Sequence, residues 1–218
     1  MHLYVIRHGQ SFVNLAEWDG LDGDAPLTPL GEKQAEALGS WLPTYVPTVD
    51  IIYSSTMRRP RGTSVPLARA YGKEVQLDHR LREIGNNRID HSPYPDGQLP
   101  NRNDWNAVWA IERPFAPVTR AENGESSMHF RVRVATFIED ILAKHRDQHV
   151  IAVCHGGVMD AVFDYCFGIG PWRRCAVYTN NTGVTHFQYV TTPGRESWAL
   201  HGHNMIEHLR MLDNALTY

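Results

Sequence analysis

The sequence predicts an α/β protein: a Rossmann-like three-layer sandwich with a mostly parallel central sheet, helices on both faces, and an inserted cap region. Three observations predict it. The largely apolar runs Leu3-Tyr4-Val5-Ile6, Val49-Asp50-Ile51-Ile52-Tyr53 and Val150-Ile151-Ala152-Val153-Cys154 have the β-branched and aromatic character of strands buried in a parallel sheet. Amphipathic stretches of helical period separate them. Each run ends in polar residues, and in open α/β sheets ligands sit beyond the carboxyl ends of the strands.

At 218 residues the chain is long enough for one α/β domain with a full core, and residues 1–218 are read as a single domain with 85–123 as a cap insertion. A composition 42% apolar and 21% charged is that of an ordinary globular protein, without low-complexity tracts or internal repeats. A net charge of -3 supplies no basic surface for nucleic acid or anionic lipid, so any bound anion needs a local cluster of cations. No apolar run approaches the ~20 residues of a membrane span, and the first strand begins right after Met1. A cytoplasmic protein is therefore expected, with neither membrane nor nucleic acid as partner; homodimerisation is left open. Cys154, Cys166 and Cys175 are odd in number and lack CxxC spacing, which fits core residues rather than disulfides or a thiolate zinc site. His201-x-His203, or His145 with His149, could pair on one face around a metal. No Cys or carboxylate stands near them at ligand spacing, so they are read as core or solvated histidines and no metal is expected.

The opening strand stops on Arg7-His8-Gly9, where Gly9 allows positive φ and close approach of a ligand. Residues 10–26 hold too many Gly and Asp for regular structure throughout; Trp18 is expected to anchor this loop, and Asn14 stays close to the strand end. Thr28 is read as an N-cap and Pro29 as the first residue of a helix that buries Ala35, Leu38, Trp41 and Leu42 and is ended by Pro43 and Pro47. After the second strand, Ser54-Ser55 is read as capping a helix whose N-terminus attracts anions, with Arg58 or Arg59 adding formal charge. Glu74 to Asp78 forms a short edge strand leading into Leu81-Arg82-Glu83-Ile84. Between apolar neighbours, Glu83 reads either as a partly buried carboxyl with a pKa raised toward acid catalysis or as an ion-pair partner of Arg80 and Arg82.

Residues 85–123 are rich in Asn, Asp, Pro and Gly yet carry Trp105, Trp109 and Phe115; only Asp104 to Ile111 reads as helix. A loop this long with buried-type aromatics is expected to pack as a cap over the site, and its nearly balanced charge calls for no polyanion. Gly124-Glu125-Ser126 opens the longest helix, to about Arg146, with Val134, Ile138, Ile141 and Leu142 as its apolar stripe. The strand from Val150 ends in His155-Gly156-Gly157, and a helix from Val158 to about Phe167 turns Met159, Val162, Phe163 and Cys166 inward. Gly183 to Val190 and Ser197 to His201 are two final strands closing or flanking the sheet, before an exposed tail.

Neighbouring parallel strands would bring Arg7-His8-Gly9, Arg59 and His155-Gly156-Gly157 together as a compact cationic cluster. At this point the chain resembles the histidine phosphatase superfamily, in the branch that holds cofactor-dependent phosphoglycerate mutases and related phosphatases. The resemblance rests on Arg7-His8-Gly9-Gln10-Ser11 with Asn14, Leu27-Thr28-Pro29-Leu30-Gly31, and Ser54-Ser55 followed by Arg59 and Thr63. It continues through Leu81-Arg82-Glu83-Ile84, Gly124-Glu125-Ser126, Cys154-His155-Gly156-Gly157 and Asn181-Thr182-Gly183-Val184-Thr185, in family order and over nearly the whole length.

The resemblance implies that His8 accepts a phosphoryl group and passes through a phosphohistidine. It implies that Arg7, Arg59 and His155 bind the phosphate oxygens with help from Asn14, Ser11 and the backbone near Gly156, and that Glu83 donates the proton. The expected partner is a small phosphorylated metabolite, hydrolysed without cofactor; a mutase or a non-catalytic phosphate-binding module are the alternatives. Physically, phosphoryl transfer asks mainly for positioning and charge stabilisation, and arginine forks match phosphate oxygens. His8 must be neutral at the attacking nitrogen, which nearby cations favour and a backbone carbonyl on its other N–H would fix. Two departures stand out. Pro60-Arg61 follows Arg59, where relatives usually carry Ala, and a proline there would shift or distort the helix start. Gly85-Asn86-Asn87-Arg88 is not the usual continuation after the acid, so Glu125 and Asp90 are kept as reserves for Glu83.

Overall fold

Leu3 and Val5 face one side of the first strand and Tyr4 and Ile6 the other, and all four are buried because helices cover both faces of the sheet. The computed structural model describes residues 1–95, 98–99, 113–172, 176–192, 194, 196–210 and 212–218. Its elements are β1 (His2–Arg7), α1 (Pro29–Tyr45), β2 (Ile51–Ser55), α2 (Arg58–Tyr71), β3 (Val75–Asp78), α3 (Ser127–Lys144), β4 (His149–Cys154), α4 (Gly156–Cys166), β5 (Val184–Val190) and β6 (Ser197–Met205). The strands form one sheet in the order β3-β2-β4-β1-β5-β6. β1, β2 and β3 run parallel to their neighbours in the β3-β2-β4-β1 half, whereas β5 and β6 are antiparallel. The predicted mostly parallel α/β sheet is thus present, and the antiparallel β5 and β6 make it mixed.

On one face α1 and α2 bury Leu38, Leu42 and Leu67 against Tyr4, Ile6, Ile52, Ile151 and Val153. On the other, α3 and α4 bury Val134, Ile138, Ile141, Met159 and Val162 against Leu3, Val5, Val150 and Ala152. Burying one such aliphatic side chain is worth about 1.5–3 kcal/mol, so period-3.6 stripes facing a period-2 sheet from both sides account for the three layers. β4 lies between β1 and β2, and the carboxyl ends of all three therefore open on one edge of the sheet.

Several local expectations are corrected. β2 runs on to Ser55, so the serine pair belongs to the strand and Met57 is the N-cap of α2, without a side-chain cap bond. Pro60 sits in the first turn of α2, where an amide N–H has no intrahelical partner to lose, and the helix start is not distorted. Pro43 lies inside α1, which continues to Tyr45: the amide of Val46 still reaches the Leu42 carbonyl, and Thr44 caps back to the Trp41 carbonyl. The C-terminal segment is not an exposed tail, since Ala215 is buried and Gln34 donates to its carbonyl and to Thr217. The expected helix at Asp104–Ile111, with Trp105 and Trp109, lies outside the described residues, as does Cys175. Around it, 85–95 and 113–123 are held by isolated bridges, Asn87 to Pro93, Arg88 to Gly124 and Pro117 to Ser126. Among the described residues no helix is long and apolar enough to cross a membrane.

Candidate active site

The parallel ladder carries His8 just past the end of β1, where its amide still donates to the Cys154 carbonyl at 2.9 Å. Its own carbonyl accepts from the Asn181 side chain at 2.9 Å, and Thr182, at φ 58, turns its amide toward the Arg7 and His8 carbonyls at 3.0 and 3.3 Å. Gly9 does not use positive φ; its use is close packing. A Cβ on Gly9 would stand 2.6 Å from the Gly31 carbonyl oxygen, at the start of α1. Thr28 caps that helix through the Gly31 amide, while Gln10 exchanges hydrogen bonds with Thr28 and Gln34. The expected Thr28 cap is therefore in place, and it also buttresses the segment after His8.

The His8 ring is 3% exposed, and its orientation is set from both ends. Nδ1 lies 2.7 Å from the Gly9 carbonyl, which can only accept, so the proton belongs on Nδ1 and the lone pair on Nε2. Arg59 Nε donates to that Nε2 across 3.1 Å. Burial first, then Arg59 and Arg7, holds the His8 pKa well below the usual histidine value. Arg59, on the first turn of α2, is itself buried and also donates to the Gly23 carbonyl at 3.0 Å, with Asp24 3.9 Å away as partial counter-charge. Burial lowers its pKa to about 10, leaving it charged at neutral pH. Of the two arginines, Arg59 faces His8, whereas Arg58 is turned to solvent and paired with Asp22 and Asp24.

His155 is fully buried at the start of α4, its ring 5.2 Å from that of His8 and edge-on to it. Its Nε2 meets the Ser55 hydroxyl at 3.0 Å, while Nδ1 is buried without a hydrogen-bond partner among the described residues. Burial, then Arg59 and His8, depresses its pKa well below the usual value. Arg7 donates to the Thr179 carbonyl, and its Nε is likewise buried without a partner among the described residues. A Cβ on Gly156 would lie 3.7 Å from that Nε, which places the guanidinium beside the α4 N-terminus.

Glu83 completes the cluster. Its Oε1 accepts from the Ile84 amide at 2.9 Å and its Oε2 from the Gly157 amide at 3.1 Å. Burial raises its pKa, opposed by those two amides and by Arg59 and Arg7. The two reserves make their contacts away from the His8 cluster: Glu125 is fully buried in an ion pair with Arg133, and Asp90 is exposed and bonded to Ser92. Of the two arginines weighed as ion-pair partners of Glu83, Arg80 pairs with Asp78 and Asp140, and Arg82 donates to the Tyr94 carbonyl at 3.2 Å. Ser11 and Asn14 bond chiefly to each other, the Asn14 carbonyl oxygen accepting from the Ser11 amide and hydroxyl at 3.0 and 3.1 Å, so they shape the loop after His8.

Sequence reasoning missed the supports. Ser55 on His155, Thr63 on the Gly9 amide at 2.9 Å, and Asn181 on the His8 carbonyl stand in quoted motifs, but only the fold says what each touches. Among the described residues no group of three or more His, Cys, Asp or Glu is placed to hold a metal ion. His203 is held by Thr185 and the Tyr178 carbonyl, and His145 by Tyr53 and Gln148.

Two histidines and two arginines at the ends of β1, β2 and β4, with the Glu83 carboxyl from the segment after β3, form a buried cluster around the His8 imidazole. The family follows from the sequence: the profile of the histidine phosphatase superfamily (branch 1) matches residues 3–204, and the chain belongs to that superfamily. A putative phosphoserine phosphatase 2 from Hydrogenobacter thermophilus is 32% identical over 84% of this chain and 87% of its own length. A probable phosphoglycerate mutase GpmB from an Enterobacter species is 24% identical over 96% of this chain and 95% of its own. Among solved structures, a mutant phosphoserine phosphatase from Entamoeba histolytica in complex with phosphoserine shares the fold, with a TM-score of 0.71 at 22% identity, covering 95% of this chain and 98% of that one. A mycobacterial glucosyl-3-phosphoglycerate phosphatase does so with a TM-score of 0.68 at 24% identity, covering 93% and 98%.

Proposed function

We propose that the protein is a phosphatase that hydrolyses a small phosphate monoester through a phosphohistidine on His8. One observation carries the reading: His8 Nδ1 is committed to the Gly9 carbonyl, which leaves the Nε2 lone pair facing Arg59, a donor that fits a phosphate oxygen equally well. In the first step Nε2 attacks phosphorus, the bond to the ester oxygen breaks, and protonated Glu83 gives its proton to that oxygen. In the second, the Glu83 carboxylate takes a proton from water, the water oxygen attacks phosphorus, and the P–N bond breaks to release phosphate. Arg59, Arg7 through its buried Nε, and His155 through its buried Nδ1 stabilise the charge on the transferring group. The cations around Glu83 favour its ionised form, and an arriving phosphate dianion offsets them.

We place the cap at residues 85–123, where substrate selection would lie. The relatives named for phosphoserine and for glucosyl-3-phosphoglycerate make phosphorylated small hydroxy compounds the class to try first. The GpmB relatives make phosphoglycerate mutase activity the second reading. Assaying a panel of monoesters without added bisphosphate, and quenching a reaction to look for an acid-labile phosphoryl adduct, tests both. Hydrolysis with the adduct supports the phosphatase. Primer-dependent isomerisation supports the mutase instead, and phosphate binding with no adduct supports a non-catalytic module.

A further inference from the structure

Arg133 and Glu125 are fully buried and stand outside the phosphate-binding cluster. Arg133 Nε and Nη2 donate to the two Glu125 carboxylate oxygens at 2.9 and 2.6 Å, and Nη1 donates to the carbonyls of Arg80 and Arg82 at 2.7 and 2.9 Å. Glu125 Oε1 in turn accepts the Gly85 amide at 2.8 Å. One ion pair therefore grips the chain immediately before Glu83 and two residues after it. A buried pair is often no more stabilising than apolar residues of the same volume, so stability alone is a weak reason for it. The planar guanidinium can hold a carboxylate and two carbonyls at once, which a lysine ammonium cannot match.

We propose that Arg133 and Glu125 are positioning residues for proton transfer by Glu83: they pin the backbone on both sides of it and so fix where its carboxyl lies against Gly157. The inference rests on the phosphatase reading of the site. Glu83 belongs to neither a helix nor a strand, so no regular ladder sets its position, and Glu125 just before α3 together with Arg133 within it supplies that constraint. A shift of order 1 Å in such a group costs roughly 100-fold in rate.

The test compares kcat/KM for an alkyl monoester hydrolysed in the panel, such as phosphoserine, with that for p-nitrophenyl phosphate. An alkoxide must be protonated as it leaves; nitrophenolate need not be. Glu83→Gln should therefore depress the alkyl ester selectively, by about 100-fold or more relative to the aryl ester. Arg133→Lys should shift the same ratio in the same direction, by about tenfold, while its affinity for inorganic phosphate, bound by residues Arg133 does not touch, stays unchanged. Loss of folded protein would lower both esters alike. Glu125→Gln, which keeps side-chain volume and the acceptor for Gly85, is the second variant should Arg133→Lys fold poorly, and should move the ratio less but in the same sense. Parallel losses on both esters in Arg133→Lys and Glu125→Gln, with Glu83→Gln still selective, overturn the positioning role alone. Wild-type protein hydrolysing neither ester, or Glu83→Gln without selectivity, overturns the reading of the site and the inference with it.

Discussion

The Gly157 amide donates to Glu83 Oε2 at 3.1 Å, and the space a Cβ would take at Gly157 is filled by the other oxygen, 2.3 Å from that position. The second glycine after His155 is therefore where the proposed acid meets the α4 N-terminus, and any side chain there must displace one of them. Gly157→Ala should fold, since helix position and not positive φ is at stake, yet lose about 10- to 100-fold in kcat/KM through misplacement of Glu83. Circular dichroism with steady-state kinetics checks this; full activity would show that the contact is dispensable.

His8→Ala should abolish turnover, by at least about 10⁴-fold for a covalent nucleophile, and remove the acid-labile adduct. Inorganic phosphate should still bind, because Arg7, Arg59 and His155 remain. Calorimetric titration with phosphate is the measurement.

Arg59 and Arg58 are adjacent in sequence and opposite in environment. Arg59→Ala removes the donor to His8 and leaves a buried site one cation short, so phosphate affinity should fall by roughly 2–3 kcal/mol. Arg58→Ala breaks only surface pairs to Asp22 and Asp24 and should change turnover by less than about threefold. Equal effects would return the assignment to the doubt the sequence alone left.

The kcat/KM profile should follow the two opposed shifts. His8, depressed chiefly by burial, stays neutral far below pH 6.5, so the acid limb is displaced downward. Glu83, raised chiefly by burial, must be protonated for the first step, so the rate falls as pH rises through that raised pKa. Glu83→Gln should remove this alkaline limb.

Stability should fall on the acid side, and beyond the depressed His8 and His155 a second group of histidines contributes. His2, His149, His186 and His201 stack across β1, β4, β5 and β6, with ring centroids 4.5 Å apart for His2 and His149 and 4.7 Å for His186 and His201. Burial, then its histidine neighbours, lowers His186 to about 4, and burial lowers His208 to about 4. A histidine whose folded pKa lies below its unfolded value binds a proton more readily when unfolded. Stability is therefore complete above pH 6.5 and declines by up to ~1.4 kcal/mol per pH unit for each such group between 6.5 and 4. Melting temperatures from pH 7.5 to 4.5 should drop accordingly, and His186→Phe should flatten the slope.

Much of the fold was legible in the chain. The strands at Leu3–Ile6 and Val150–Cys154, and the helix capped by Thr28, follow from hydrophobic period and cap chemistry, which are local properties. That Arg7, His8 and His155 would stand together was readable because neighbouring parallel strands end on the same edge of the sheet. Two kinds of fact were not. Register decided that Ser54-Ser55 ends β2 instead of capping α2, and long-range packing drew the C-terminal segment under Gln34.

By itself the sequence determined that cations and imidazoles would meet at the carboxyl edge of an α/β sheet, because β4 and its neighbours carry them at their own ends. Tertiary structure alone decided which atoms face which: Arg59 Nε on His8 Nε2, the Gly157 amide on Glu83, the proton on Nδ1 of His8. Identity and spacing act along the chain, whereas Arg59 and Asn181, 51 and 173 positions from His8, reach it only through the fold.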